Sequence, residues 1–221
     1  GDGGGAGGGV GGGAGIGGTG FTASGVITGT GSVFVNGVRF EVDDADIFVG
    51  GEPATEADLG LGMVVGVSGT REDDANGIAD RVDYDSVLEG PIQSIERNED
   101  NSSARLRVLG QVVIVERTST VFEDTAFDAL AAGDRVEVSG YADEEGRIRA
   151  TRLEGDDEPN DDVTVSGVIT NLEGSRFFIG GQEIDAATAS LELDDGVTLA
   201  DGLNVEVDGQ LDGDVLRATV V

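Results

Sequence analysis

Leu61-Gly62-Met63-Val64-Val65-Gly66-Val67-Ser68-Gly69 returns as Ala132-Gly133-Asp134-Arg135-Val136-Glu137-Val138-Ser139-Gly140 and again as Asp201-Gly202-Leu203-Asn204-Val205-Glu206-Val207-Asp208-Gly209. Within each copy, apolar and polar residues alternate up to a closing Gly, which is the period of a strand with one buried face. Other anchors keep step on either side. Gly25-Val26-Ile27 is matched by Gly90-Pro91-Ile92 and Gly167-Val168-Ile169. Phe34-Val35-Asn36-Gly37 is matched by Val108-Leu109-Gly110 and Phe178-Ile179-Gly180-Gly181. Each unit closes on a second β-branched run: Gly77 to Val82, Gly146 to Leu153, and Val215 to Val220. Several anchors in fixed order across three copies, spaced by about 70 residues, define a tandem repeat.

Each repeat reads as about five short strands. A first strand ends in the Gly-x-Ile run. A hairpin follows, turning at Asn36-Gly37 or its counterpart, a sequence suited to positive φ. An acidic connection with a short helical or irregular turn comes next, over 54–61 in the first copy and 128–132 in the second. A second hairpin closes the unit; its turn in the first copy falls at Asn76-Gly77, where Gly is expected to supply positive φ. The fold class is therefore all-β, with three tandem small five-stranded barrel-like domains of the oligonucleotide-binding-fold kind behind a Gly-rich tail; a small sandwich is the alternative topology. The divisions are 1–21 for the Gly-rich segment, 22–86, 87–153 and 163–221 for the repeats, and 154–162 for an acidic linker. Repeats 1 and 2 share almost no linker and should be rigidly joined, while repeat 3 should be more loosely attached.

Composition bounds function. The chain has 221 residues, 44 acidic against 13 basic, and a formal charge of −31. All the basic residues are Arg; there is no Lys, His or Cys. Such a chain repels nucleic acid and anionic lipid, so neither is an expected partner. The usual Ser-His, Cys-His and Ser-Lys nucleophilic pairs cannot form. A carboxylate pair could serve glycoside hydrolysis, but sugar sites lean on aromatic platforms, and there is no Trp and only Tyr84 and Tyr141. No enzyme activity and no cofactor are expected. No apolar run is long enough to span a membrane as a helix. The first residues, Gly-Asp-Gly-Gly, look like a processed N-terminus, which favours an extracellular or cell-surface location.

The Phe34–Phe40 run, Gly62–Gly69, Leu88-Glu89-Gly90-Pro91-Ile92 and Val138-Ser139-Gly140-Tyr141 resemble the domain of unknown function 5666 family over about residues 22–221. The resemblance implies tandem β-domains of secreted and lipoprotein-type bacterial proteins, and no activity.

Two sets of residues are candidates for binding. Asp43, Asp44, Asp46 and Asp74 lie in carboxylate-rich loops that could bind Ca²⁺. The loop around Asp74 superficially follows an EF-hand spacing, but a tight hairpin turn explains it better. Residues 1–20 contain 14 Gly and have two readings. One is a flexible tether. The other is an assembly segment that docks on a neighbouring copy, head to tail, with Val10, Ile16 and Phe21 filling pockets. In the Phe177-Phe178 pair, neighbouring side chains face opposite sides of a strand, so one is a candidate for an interdomain or intersubunit contact. The other Phe residues read as core.

Overall fold

The structure, a computed structural model, describes residues 20–29, 32–156, 161–194 and 196–221. It is all-β, and three repeats follow one another along the chain. Repeat 1 contains β1 (Gly20–Val26), β2 (Val33–Val35), β3 (Val38–Glu41), β4 (Asp46–Val49), β5 (Glu52–Ala54), β6 (Val64–Arg71) and β7 (Asn76–Tyr84). Repeat 2 contains β8 (Leu88–Arg97), β9 (Ser103–Val108), β10 (Gln111–Glu116), β11 (Val121–Glu123), β12 (Arg135–Ala142) and β13 (Ile148–Gly155). Repeat 3 contains β14 (Asp162–Glu173), β15 (Arg176–Ile179), β16 (Gln182–Asp185), β17 (Asn204–Asp212) and β18 (Val215–Val220).

The pairing rule is the same in each copy. In repeat 2, β8 pairs antiparallel with β9 and with β12, β9 with β10, β12 with β13, and β10 runs parallel to β13. Repeat 3 repeats this circuit with β14, β15, β16, β18 and β17. In repeat 1, β1–β6, β6–β7, β7–β3 and β3–β2 are present, and among the described residues no ladder joins β1 to β2. The acidic connection supplies extra strands: β4 and β11 run parallel to β7 and β13, and a single parallel bridge, Ser190 to Val220, stands in the same place in repeat 3.

Alternation decides which side chains enter the core. Val65 and Val67, Val136 and Val138, and Val205 and Val207 all point inward and are buried. Each such side chain contributes about 1.5–3 kcal/mol relative to exposure. The Gly that ends each anchor has its own reason. Gly69, Gly140 and Gly209 each sit at a register shift in the closing hairpin. A Cβ there would run into the carbonyl oxygens of Ile78, Arg149 and Arg217. The bulge therefore admits only Gly.

Asn36 (φ 52) and Gly37 (φ 80) both take positive φ, as a two-residue hairpin turn of type I′ requires. The turn before Gly77 differs from the sequence expectation. Gly77 is not among the residues with positive φ, whereas Gly146 (φ 73) and Gly213 (φ 65), its matches in sequence, are; by register Gly77 stands where the other copies have Ile148 and Leu216. The loop of repeat 1 is closed by Asp73, whose Oδ1 accepts from the N–H groups of Ala75 and Asn76 at 2.7 and 2.8 Å, much as Asp143 Oδ1 accepts from the N–H groups of Glu145 and Arg147 in repeat 2. Gly77 is needed because a Cβ would lie 2.7 Å from the Phe40 ring.

The junctions also correct an expectation. Repeat 3 is the more closely joined partner of repeat 2. Leu88 pairs with Val165 and Glu89 with Thr164, so one 11-stranded sheet runs through both repeats, and a single core cluster fills them. At its other end, Gln111 Nε2 donates to the Ile179 carbonyl at 2.5 Å, and Gly110 packs on Gly181. Repeat 1 keeps a separate seven-stranded sheet and a separate core. The acidic run misled because linker composition reports local solvation, while attachment is set by strand pairing distant in sequence.

Candidate functional site

The three repeats meet over a transverse row of side chains set by strand register. Glu154 on β13 stands opposite Glu137 on β12, Glu137 opposite Glu89 on β8, Glu89 opposite Thr164 on β14, and Thr164 opposite Asp208 on β17. Glu137 is turned out of the core because Val136 and Val138 are turned in. Repeat 1 covers this row with the end of β7. The Tyr84 hydroxyl donates to Glu137 Oε1 at 2.6 Å. An open cavity of about 410 Å³ lies here, lined by Tyr84, Asp85, Glu89, Glu137, Thr164 and Glu206 among others. A neighbouring one of about 520 Å³ shares Asp85, Glu206 and Asp208, and adds the apolar Leu193, Val197 and Leu203.

The electrostatics are one-sided. Glu89 is held by Arg135 at 3.1 Å, and Arg135 also pairs with Asp156 at 2.8 Å. Glu154 is held by Arg152, itself 5% exposed and bonded to Glu123 and Glu154 at 2.8 Å each. Glu137 stands between these pairs, and the Tyr84 hydroxyl is its hydrogen-bond donor. Burial raises the Glu137 carboxyl above its ordinary value, Glu154 and Asp156 add to the rise, and the Tyr84 bond and Arg152 oppose it. Burial likewise raises Asp85, Glu89 and Glu206, and repulsion from Asp83, Asp156 and Asp85 respectively adds to the rise. Burial and Glu137 together push the Tyr84 hydroxyl up. The cleft thus favours protons and cations. Among the described residues, no three carboxylates converge closely enough to hold a metal ion.

The residues singled out from sequence lie elsewhere. Asp43 and Asp44 form the exposed turn between β3 and β4, Asp46 opens β4, and Asp74 is exposed in the β6–β7 loop, 3.7 Å from Arg71. Val10 and Ile16 lie outside the described residues, and only the backbone of Phe21 is described, within β1. Phe177 is fully buried in the joint core, and Phe178 is half-buried on the opposite face of β15. Sequence reading missed the carboxylate row. The alternation around Glu137 shows that it points outward, but its alignment with Glu154 depends on the bulged register of the β12–β13 hairpin, and that with Glu89 on register between strands about 50 residues apart.

A family model described as "Domain of unknown function (DUF5666)" matches three segments, residues 22–83, 89–154 and 166–221. No curated protein matches the chain.

Proposed function

The chain belongs to the family of the domain of unknown function 5666 in three tandem copies, and from that premise we propose that it is a non-enzymatic structural protein of the cell exterior. It is the subunit of a self-assembling filament or surface array, and its N-terminal Gly-rich segment docks on a neighbouring copy. Each repeat serves as a small barrel of the oligonucleotide-binding-fold kind. The pairing circuit β8–β9–β10–β13–β12–β8, with one parallel pair, supports that reading.

The observation that carries the assembly reading is the distribution of charge. Between Asp2 and Arg39 no residue is charged, in a chain of net charge −31. Two copies approaching through any other surface would meet mutual repulsion. The neutral stretch is the part of the molecule that another copy can approach at least cost. Gly adds close backbone approach without side-chain bulk. The absence of His, Lys and Cys from the sequence removes the common nucleophile-base pairs, which supports a non-catalytic role.

Electron microscopy of the full chain and of a chain lacking residues 1–19 tests this. Filaments or arrays from the full chain alone are expected. Dispersed particles in both, at low and at high salt, would sink the proposal. The second reading is a binding module tethered by the Gly-rich segment, and the open cavity at the junction favours it. It would appear as a ligand-dependent rise in melting temperature of a chain that never polymerises.

A further inference from the structure

The first strands of the three repeats are not equally partnered. In each copy the inner ladder ends on an equivalent isoleucine. Ile27 N–H donates to the Met63 carbonyl, Ile92 N–H to that of Asp134, and Ile169 N–H to that of Leu203, each at 2.8 Å. Counting back four residues makes Ala23, Leu88 and Val165 equivalent. Their partners agree: Val67, Val138 and Val207 occupy one position of the repeated anchor.

Repeats 2 and 3 are joined through this position. Leu88 pairs with Val165, Glu89 with Thr164, and Ser166 N–H donates to the Val87 carbonyl at 3.0 Å. Equivalent residues face each other, so the junction has a local two-fold axis through the Leu88–Val165 pair. Each first strand contributes the outer edge of its N-terminal half and keeps its inner edge for its own repeat.

In repeat 1 no strand among the described residues lies beside the same edge. Among the described residues, β1 pairs with β6 alone. Ile27 turns its N–H and carbonyl toward the β6 side, so by the alternation of an antiparallel ladder Thr22 and Ser24 turn theirs outward. Both residues are exposed. Asn36 Nδ2 caps the Ser24 carbonyl at 2.7 Å. The groups matching those used between repeats 2 and 3, the Ser24 N–H and the Thr22 carbonyl, are left outside that cap. Proteins that keep such an edge bare usually guard it with charge or Pro. Residues 20–29, Gly-Phe-Thr-Ala-Ser-Gly-Val-Ile-Thr-Gly, carry neither. The paired edges do carry charge, at Glu89 and Asp162.

We propose that the outer edge of β1 is a self-association surface. Two copies of the chain pair antiparallel through β1 about a two-fold axis at Ala23. The Ser24 N–H of each copy donates to the Thr22 carbonyl of the other, as Ser166 does to Val87. The contact uses no residue of 1–19, so it and the assembly proposed above fail separately. It is an isologous contact, which closes as a dimer, and as part of a filament it would join two subunits back to back.

The chain has no Cys, so Ala23→Cys in the full chain introduces a single thiol. Across a non-hydrogen-bonded antiparallel pair, Cα atoms lie about 4.5 Å apart, within the disulfide range of about 4.4–6.8 Å. Mild oxidation is expected to convert most of this variant to covalent dimer. A control, Glu144→Cys in the exposed β12–β13 turn, is expected to stay mostly monomeric. Adding Ser24→Pro, which removes the outward N–H as Pro91 does in β8, should reduce cross-linking of Ala23→Cys to the control level. Circular dichroism checks folding; should the Pro variant unfold, Ser24→Lys replaces it. Sedimentation should show the otherwise unaltered full chain losing its two-fold associated species on the same substitution. Cross-linking no faster than the control, or unchanged by both Ser24 substitutions in folded protein, would overturn the proposal. Filaments lost on removing residues 1–19 while the Ala23→Cys dimer persists would leave it standing.

Discussion

Repeats 2 and 3 share one sheet and one core, whereas repeat 1, built on the same anchors, keeps its own. The difference lies in what meets each first strand. Leu88 and Val165 are large, face each other across the junction and are fully buried. Ala23, at the equivalent place, is small and half-buried. Repeat 1 instead reaches the others through side chains: Tyr84 to Glu137, the Val64 N–H to Ser139 Oγ at 2.8 Å, and Arg152 to the Leu61 carbonyl at 3.2 Å. A fold can thus join its copies in two ways. Backbone pairing merges cores, and polar bridging leaves them separate. Repeat 1 should therefore unfold independently, and repeats 2 and 3 as a unit.

The sharpest way to break this contrast is to remove one large side chain from each core. Phe40→Ala should cost about 3–5 kcal/mol and Leu88→Ala about 2–5 kcal/mol. Calorimetry should show two transitions in the native chain. The Phe40 change should lower only that of repeat 1, and the Leu88 change only that of repeats 2 and 3. A single transition shifted by both would show that the cores are coupled.

Next in size are the bulge glycines. Gly140→Ala should cost about 1–3 kcal/mol through overpacking against the Arg149 carbonyl. Gly69→Ala should cost a similar amount but act on the other transition. Denaturant titrations of the two variants compare the blocks position by position.

A change of the same order or less bears on the contact between the blocks. Tyr84→Phe leaves Glu137 without its donor and should cost about 1–3 kcal/mol, felt in the repeat 1 transition. The sign with pH follows from the raised carboxyls. Glu137, Glu89, Asp85 and Glu206 bind protons more readily when folded than unfolded. Their contribution is complete below the ordinary carboxylate range of about 3.9–4.3 and is lost as pH rises through their raised values. The repeat 1 transition should therefore rise on acidification from neutral pH toward the ordinary carboxylate range. Glu137→Gln, which mimics the protonated form, should raise it at pH 7 and flatten its pH profile. Asp128, held at about 2 by Arg117, and Asp143, held at about 2 by Arg147, work the other way within repeat 2. Their contribution is present above the ordinary Asp value and lost as pH falls toward about 2. Melting temperature against pH for the native chain and Glu137→Gln checks both signs.

The smallest expected effect is that of salt. The chain's net charge is −31, and raising ionic strength shortens the reach of repulsion between exposed charges from about 10 Å at 0.1 M to about 3 Å at 1 M. Both transitions should rise modestly, that of repeat 1 more, because its junction carries the unneutralised carboxylates. An equal rise in both would place the repulsion on the general surface rather than at the junction.

The sequence by itself determined the repeat, its all-β character, the inward Val pairs and the family. All of these rest on local periodicity and on anchors that recur in order, and alternation along a strand needs no knowledge of its neighbours. The turn at Asn36-Gly37 was legible for the same reason, since a two-residue turn is set by the φ its residues tolerate. Only the tertiary structure decided which repeats fuse, why Gly77 is Gly, and that Glu137, Glu89 and Glu154 stand in one row. Apart from the Glu137–Glu154 pairing within one hairpin, each of these depends on register between strands far apart in the chain, or on one side chain filling the space above another. Composition misjudged the acidic linker for that reason: it is a local property of residues 154–162, while the Leu88–Val165 pair, 77 positions apart, holds the two repeats together.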